Sequence, residues 1–246
     1  MVKRAITCVM TTVSVLAVVL AAHPASAQTV DEIVAKNYAS KGGLEKWKSI
    51  QTQRLTGAVS TQGIELGMVI LGKRPNLGRQ DLTIDMGQGP MTMVNIFDGA
   101  KAWMINPMTG SDVPQEMGGP EGEAVKDQSD FDGALIDYKA KGHTVELVGP
   151  ATVGSKPAHH LKVTRQGQPA QHYYIDVETG VELKISTEAG AGPAVDTEMS
   201  DYRLVEGGVM VPHLIRVMQG GMVQAELRIT KVEFNVPIDD AMFKVR

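Results

Sequence analysis

From Ile50 onward, apolar and polar side chains alternate with a period of two, and this alternation constrains the fold more than any other feature of the chain. Ile64, Leu66, Met68 and Ile70 alternate with Glu65, Gly67, Val69 and Leu71. Leu82-Thr83-Ile84-Asp85-Met86 and Met91-Thr92-Met93-Val94-Asn95-Ile96-Phe97 repeat the pattern, and Asp98-Gly99 supplies a hairpin turn into Ala102-Trp103-Met104-Ile105. Strands in this order, joined by short turns, form an antiparallel meander with one face to be covered.

The covering elements are helical. Thr29 followed three residues later by Glu32 is a capping box, and Val30, Ile33, Val34, Asn37 and Tyr38 fall on one stripe of a helix that Gly42-Gly43 ends. Leu44 to Trp47 adds another helical turn, with Trp47 as an apolar plug beside the stripe. Between Asn106 and Lys141 the strand pattern lapses: Pro107, Pro114 and Gly118-Gly119-Pro120 mark a long loop. Glu121 to Gln128 and Phe131 to Tyr138 read there as short helices. Further strands are expected at 143–148, 158–165, 171–177, 181–188, 195–205, 210–218 and 223–234, giving about eleven in all. With no tandem repeat or low-complexity tract, the expectation is one domain over 28–246. Its fold class is mainly β (α+β): an incomplete antiparallel barrel with short helices against one face.

Residues 1–27 read as a cleaved signal peptide. Lys3 and Arg4 precede an apolar run from Ala5 to Ala22, and Ala25-Ser26-Ala27 is a small-x-small cleavage site before Gln28. A membrane anchor is the competing reading of that run. Export to the periplasm is the expectation, and Cys8, the one cysteine, falls within the leader, so residues 28–246 hold no thiol. The formal net charge of −4 shows no basic excess, which argues against nucleic acid as a partner.

Catalytic signatures are missing. There is no Gly-x-Ser-x-Gly elbow, no phosphate-cradling Gly-x-x-x-x-Gly-Lys, no Gly-x-Gly-x-x-Gly after a strand and no His-Glu-x-x-His. His143, His159, His160, His172 and His213 would have to converge to hold a metal. In a hairpin about Gly167-Gln168, His172 falls opposite Val163 while His159 and His160 point to opposite faces. Asp130, Asp132, Asp239 and Asp240 read as turn and cap residues. The expectation is a protein that is not an enzyme and uses no metal or cofactor.

Methionine is over-used. The chain has 14 Met against 4 Phe and 2 Trp, with only Met1 and Met10 in the leader. Met is flexible and polarizable and recurs on surfaces that fit variable apolar partners. The candidates for an apolar cavity wall are Ile64, Leu66, Met68, Ile70, Leu82, Ile84, Met91, Met93, Phe97, Trp103 and Met104. Simple sheet packing is the other reading of the same residues.

Lys73-Arg74-Pro75-Asn76-Leu77, followed by Phe97-Asp98-Gly99-Ala100-Lys101-Ala102-Trp103-Met104-Ile105-Asn106-Pro107, resembles the paired signature of the outer-membrane lipoprotein carrier, or lipoprotein-sorting, family (LolA-like). Gly42-Gly43-Leu44-Glu45-Lys46, Phe131-Asp132-Gly133, Ser200-Asp201-Tyr202-Arg203 and Pro237-Ile238-Asp239-Asp240 are similar to a broad branch of it. The resemblance implies an eleven-stranded half-barrel with a helical lid over an apolar cavity, and a monomer. Its cargo would be acylated lipoprotein or lipid, passed from an inner-membrane donor to an outer-membrane acceptor. It implies that Arg74 hydrogen-bonds the lid and couples its opening to transfer, and that Pro75, Asn76, Asp98 and Gly99 are structural. Gly78 departs from the pattern, standing where the carriers place an aromatic. A sensor or scaffold of the same fold, bound to a membrane-protein partner, is the second reading.

Overall fold

The computed structural model describes residues 28–87 and 89–245; the expected leader, 1–27, lies outside them. Helix α1 (Val30–Ser40) starts at the capping box: the Thr29 hydroxyl accepts the Glu32 N–H at 3.3 Å, and the Glu32 carboxylate accepts the Thr29 N–H at 2.7 Å. A short α2 (Leu44–Ser49) follows Gly42 and Gly43. Five strands come next, β1 (Thr52–Thr61), β2 (Ile64–Lys73), β3 (Leu77–Asp85), β4 (Pro90–Phe97) and β5 (Ala102–Asn106). Then β6 (Ser111–Met117) leads into α3 (Gly119–Ser129) and a run of turns over 131–142. The chain closes with β7 (Thr144–Val153), β8 (Lys156–Thr164), β9 (Gln171–Asp176), β10 (Glu182–Ala189), β11 (Gly192–Val205), β12 (Val209–Gln219) and β13 (Met222–Phe234).

These strands make one antiparallel sheet in the order β6-β5-β4-β3-β2-β1-β13-β12-β11-β10-β9-β8-β7. Every pairing is between sequence neighbours except β1 with β13, which joins the two halves. β6 and β7 are edges, so the sheet is an open half-barrel.

The strand number is thirteen, not eleven. One strand the sequence hides is β6, whose Pro114 argues for a loop. A proline is tolerated there because β6 is an edge and its ladder with β5 is irregular between Met104 and Asn106. The helix expected over Phe131 to Tyr138 is instead a succession of turns. Gly133 at φ +64° and Asp137 at φ +52° leave the right-handed region, which a helix cannot do.

The β8–β9 register differs from expectation by one residue: His172 pairs with Lys162, and Val163 with Gln171. Because a one-residue slip turns every side chain to the other face, His160 and His172 share a face. His160 Nε2 lies 2.8 Å from His172 Nδ1.

Both faces are packed. On the inner face, Ile33 and Val34 of α1, with Ala134 and Leu135 of the turn segment, cover Leu161, Val163 and Ile175. On the outer face, Ile238 and Phe243 of the C-terminal segment cover Leu71. Among the described residues no helix is long and apolar enough to cross a membrane.

Candidate functional site

The β-strand period decides what meets on the inner face. Register puts Leu55, Ile70, Gln80, Asn95 and Met104 in one row across β1 to β5, and Gln53, Gly72, Gly78, Phe97 and Ala102 in the next. Between these rows and α3 lies a cavity of about 470 Å³, within the usual range for a small-molecule site. Its apolar wall is Leu55, Val59, Ile70, Leu82, Ile215 and Leu227, and α3 contributes Val125, Gln128 and Ser129 as a roof.

One glycine brings the roof close to the wall, and a second makes room within the wall itself. A Cβ on Gly78 would stand 2.0 Å from Ser129 Oγ, and one on Gly72 would stand 2.9 Å from Gln53 Nε2. Gly78 therefore admits the end of α3, which explains why no aromatic side chain can occupy the position.

The cavity-wall candidates divide by position. Ile70 and Leu82 line the cavity. Met68 is 1% exposed, sealed against Val59 and Ile229, and Phe97 is buried in a hollow shared with Gly122 and Lys126 of α3. Leu66, Ile84, Met91 and Met93 continue the same face toward the hairpin tips, and Ile64 stands exposed at the β1–β2 tip. Met104 shares Asn95's row, but Trp103 lies on the opposite face from Met104. The Trp103 indole N–H donates to Asp98 Oδ2 at 2.8 Å, and Asp98 Oδ1 accepts from the N–H groups of Ala100 and Lys101. With Gly99 at φ +96°, these bonds fix the β4–β5 turn. The β2–β3 turn abuts it: a Cβ on Gly99 would meet Leu77 Cδ2 at 3.4 Å and Asn76 Oδ1 at 3.7 Å.

Arg74, in the β2–β3 turn next to Pro75, ties three segments together. Its Nε donates to the Ile50 carbonyl at 2.6 Å, Nη2 to the Trp47 carbonyl at 3.1 Å and Nη1 to Asp132 Oδ2 at 2.7 Å. Its guanidinium lies 4.6 Å from the Phe131 ring centre. Trp47 Nε1 donates to the other Asp132 oxygen at 3.1 Å. Burial opposes ionisation of Asp132, but the Arg74 hydrogen bond and charge, helped by Lys141 and Trp47, hold its carboxyl below the usual range. Asp132, read from sequence as a turn residue, is thus the acceptor that joins Arg74 and α2 to the turn segment.

A second tie was not legible in the sequence. Arg165, just beyond β8, donates from both terminal nitrogens to the two carboxylate oxygens of Asp127 in α3, each at 2.8 Å. Gln168 Nε2 donates to Glu123 Oε2 at 2.5 Å beside it. Because α3 also packs on β3, β4 and β5, it spans from one limb of the half-barrel to the other.

Among the described residues no group of three or more His, Cys, Asp or Glu could hold a metal ion. His160 and His172 are joined to Glu188 at 3.1 Å from His172 Nε2, and His160 stacks on Tyr174 at 4.7 Å.

No protein-family model and no curated protein sequence matches the chain. Solved structures do. A LolA superfamily protein from Nitrosomonas europaea superposes with a TM-score of 0.61 over 89% of this chain and 98% of that one, at 12% identity. A domain from Vibrio parahaemolyticus described as an outer membrane lipoprotein-sorting protein domain gives 0.60 over 86% and 94%, also at 12% identity. A DUF1329 family protein from Desulfovibrio piger gives 0.55 over 87% and 97%, at 11% identity. The chain has the LolA-like half-barrel fold.

Proposed function

We propose that the protein is a periplasmic carrier that shelters acyl chains of lipoproteins or related lipids in the cavity under α3. The observation that carries this reading is the roofed, apolar-walled cavity of about 470 Å³ on a LolA-like sheet. Leaving a bilayer costs an acyl chain about 0.8 kcal/mol per CH₂, so a ~16-carbon chain costs roughly 12 kcal/mol to expose to water. A carrier must replace the bilayer with its own apolar wall, and it must also release. A lid that closes over the empty cavity opposes binding and so brings affinity into a reversible range. The Arg74–Asp132 and Arg165–Asp127 ties supply that opposition.

On this reading residues 1–27 are the export signal, 28–246 act as one domain, and the carrier is a monomer. It takes cargo from an inner-membrane donor and yields it to an outer-membrane acceptor. No chemistry is performed on the cargo. The test is native mass spectrometry with lipid extraction on protein purified from its own periplasm, beside Leu82→Glu. Copurified acylated cargo that the variant loses while remaining folded supports a carrier. A folded protein that neither copurifies with lipid nor takes it up from micelles points instead to a scaffold for a membrane-protein partner.

A further inference from the structure

The cavity wall is not uniformly apolar. Gln53, Gln80 and Asn95 line it, each on the inner face, with Gln80 and Asn95 directly paired across β3 and β4. Asn95 Nδ2 donates to Gln80 Oε1 at 3.3 Å, while Asn95 Oδ1 is shielded from solvent and has no partner. Turning the amide over merely exchanges which pole is orphaned. Gln53 lies over Gly72, whose missing Cβ leaves the space its carboxamide fills. An orphaned buried acceptor costs stability that an apolar residue would not, so packing alone does not account for Asn95 here.

Their chemistry is neutral and two-sided. Carboxamides offer N–H donors and C=O acceptors together. The one cationic residue at the cavity, Arg79, has its guanidinium committed elsewhere, to Asp81 Oδ1 at 2.7 Å and the Met242 carbonyl at 3.0 Å. A carboxylate or phosphate would find no free positive charge among the described lining residues.

We propose that this floor reads the secondary amide of an N-acyl chain: Asn95 accepts the ligand N–H, the glutamine amides donate to its C=O, and the hydrocarbon runs along Leu55, Ile70, Leu82 and Leu227. The inference rests on the carrier reading and refines its cargo to amide-linked chains.

The probes are N-methyldodecanamide, which carries both donor and acceptor, and methyl dodecanoate, which has the same chain but no donor. Their affinities for the protein, for Asn95→Leu and for Asn95→Ala are measured by calorimetry or native mass spectrometry. The amide-to-ester affinity ratio falls about 3- to 10-fold in each folded variant, the size of one net hydrogen bond, while ester binding persists. Asn95→Ala, which removes the same acceptor with a smaller side chain, keeps the test intact should Asn95→Leu fail to fold. If both probes bind and the ratio is the same in all proteins, the amide site is overturned and the carrier reading stands. If neither probe binds wild type, the carrier reading falls and takes this inference with it.

Discussion

Arg165 and Asp127 face each other fork to fork, two parallel 2.8 Å hydrogen bonds joining the β8–β9 hairpin to the underside of α3 across the open half-barrel. The guanidinium is only 12% exposed and the carboxylate 29%, so each partner loses much of its hydration and depends on the other. Removing one leaves the other stranded. Asp127→Asn or Arg165→Met is expected to destabilise the protein by about 1–3 kcal/mol, below the figure for a fully buried pair. Amide hydrogen exchange should speed up across Gly119–Ser129 while β8 and β9 stay protected. A double-mutant cycle with no coupling between the two sites would remove the tie from the account.

The Arg74–Asp132 tie has a defined acid limit. Burial raises the Asp132 pKa and the Arg74 interactions lower it further, so the folded value lies below the ordinary 3.8. With a depressed folded pKa, the carboxylate's contribution is complete above 3.8 and is lost as pH falls through the folded value. Trp47 donates to the same carboxylate and reports on it. In a Trp103→Phe background, which leaves Trp47 as the only tryptophan, the emission change on acidification should have its midpoint below 3.8. Asp132→Asn should abolish that step, and a midpoint above 3.8 would contradict the assignment.

The local parts of this fold were legible because their causes are local. Thr29 and Glu32 are three residues apart, Asp98-Gly99 carries its own turn, and the alternation in β2 to β4 puts Ile70, Leu82 and Met93 on one face without knowledge of the rest. The same alternation separates Trp103 from Met104, so grouping both as cavity wall contradicts the strand period. Other features depend on distant chain. Pro114 is strand-compatible only because β6 is an edge, and His172 changes face with a one-residue slip. Asp127 finds Arg165 across 38 residues and Asp132 finds Arg74 across 58. Asn95 reads as an ordinary polar position in a strand until the cavity beside it is known.

Gly78 tests how tightly α3 must sit. A methyl group there would stand 2.0 Å from Ser129 Oγ and 2.7 Å from Ser129 Cβ, distances that force the helix end outward. Gly78→Ala is expected to cost about 1–3 kcal/mol, the range for overpacking a closed contact. Adding Ser129→Gly removes the colliding atoms and should recover most of the loss, as read from urea midpoints at constant m-value. Equal midpoints for the single and double variants would show that the helix end yields freely.

The histidine pair on β8 and β9 sets a second pH dependence, of opposite origin. Burial, then the neighbouring His172 and Lys184, hold His160 below its ordinary value of 6.5. In the neutral pair His172 Nε2–H donates to the Glu188 carboxylate, which leaves His172 Nδ1 to accept from His160 Nε2–H across 2.8 Å. Protonating His160 then adds a charge to a partly buried ring beside Lys184. A histidine with a depressed folded pKa is protonated more readily in the unfolded chain, so stability is full above 6.5 and declines as pH falls from there through the folded value. His159 is shifted the same way, by burial and by Lys36, and adds to the slope. Urea midpoints should therefore drop between pH 7.5 and 5.5 in wild type. His160→Phe, which keeps a ring for Tyr174 to stack on, should flatten part of that drop, and adding His159→Gln should flatten more. An unchanged slope in both variants would place the dependence elsewhere in the chain.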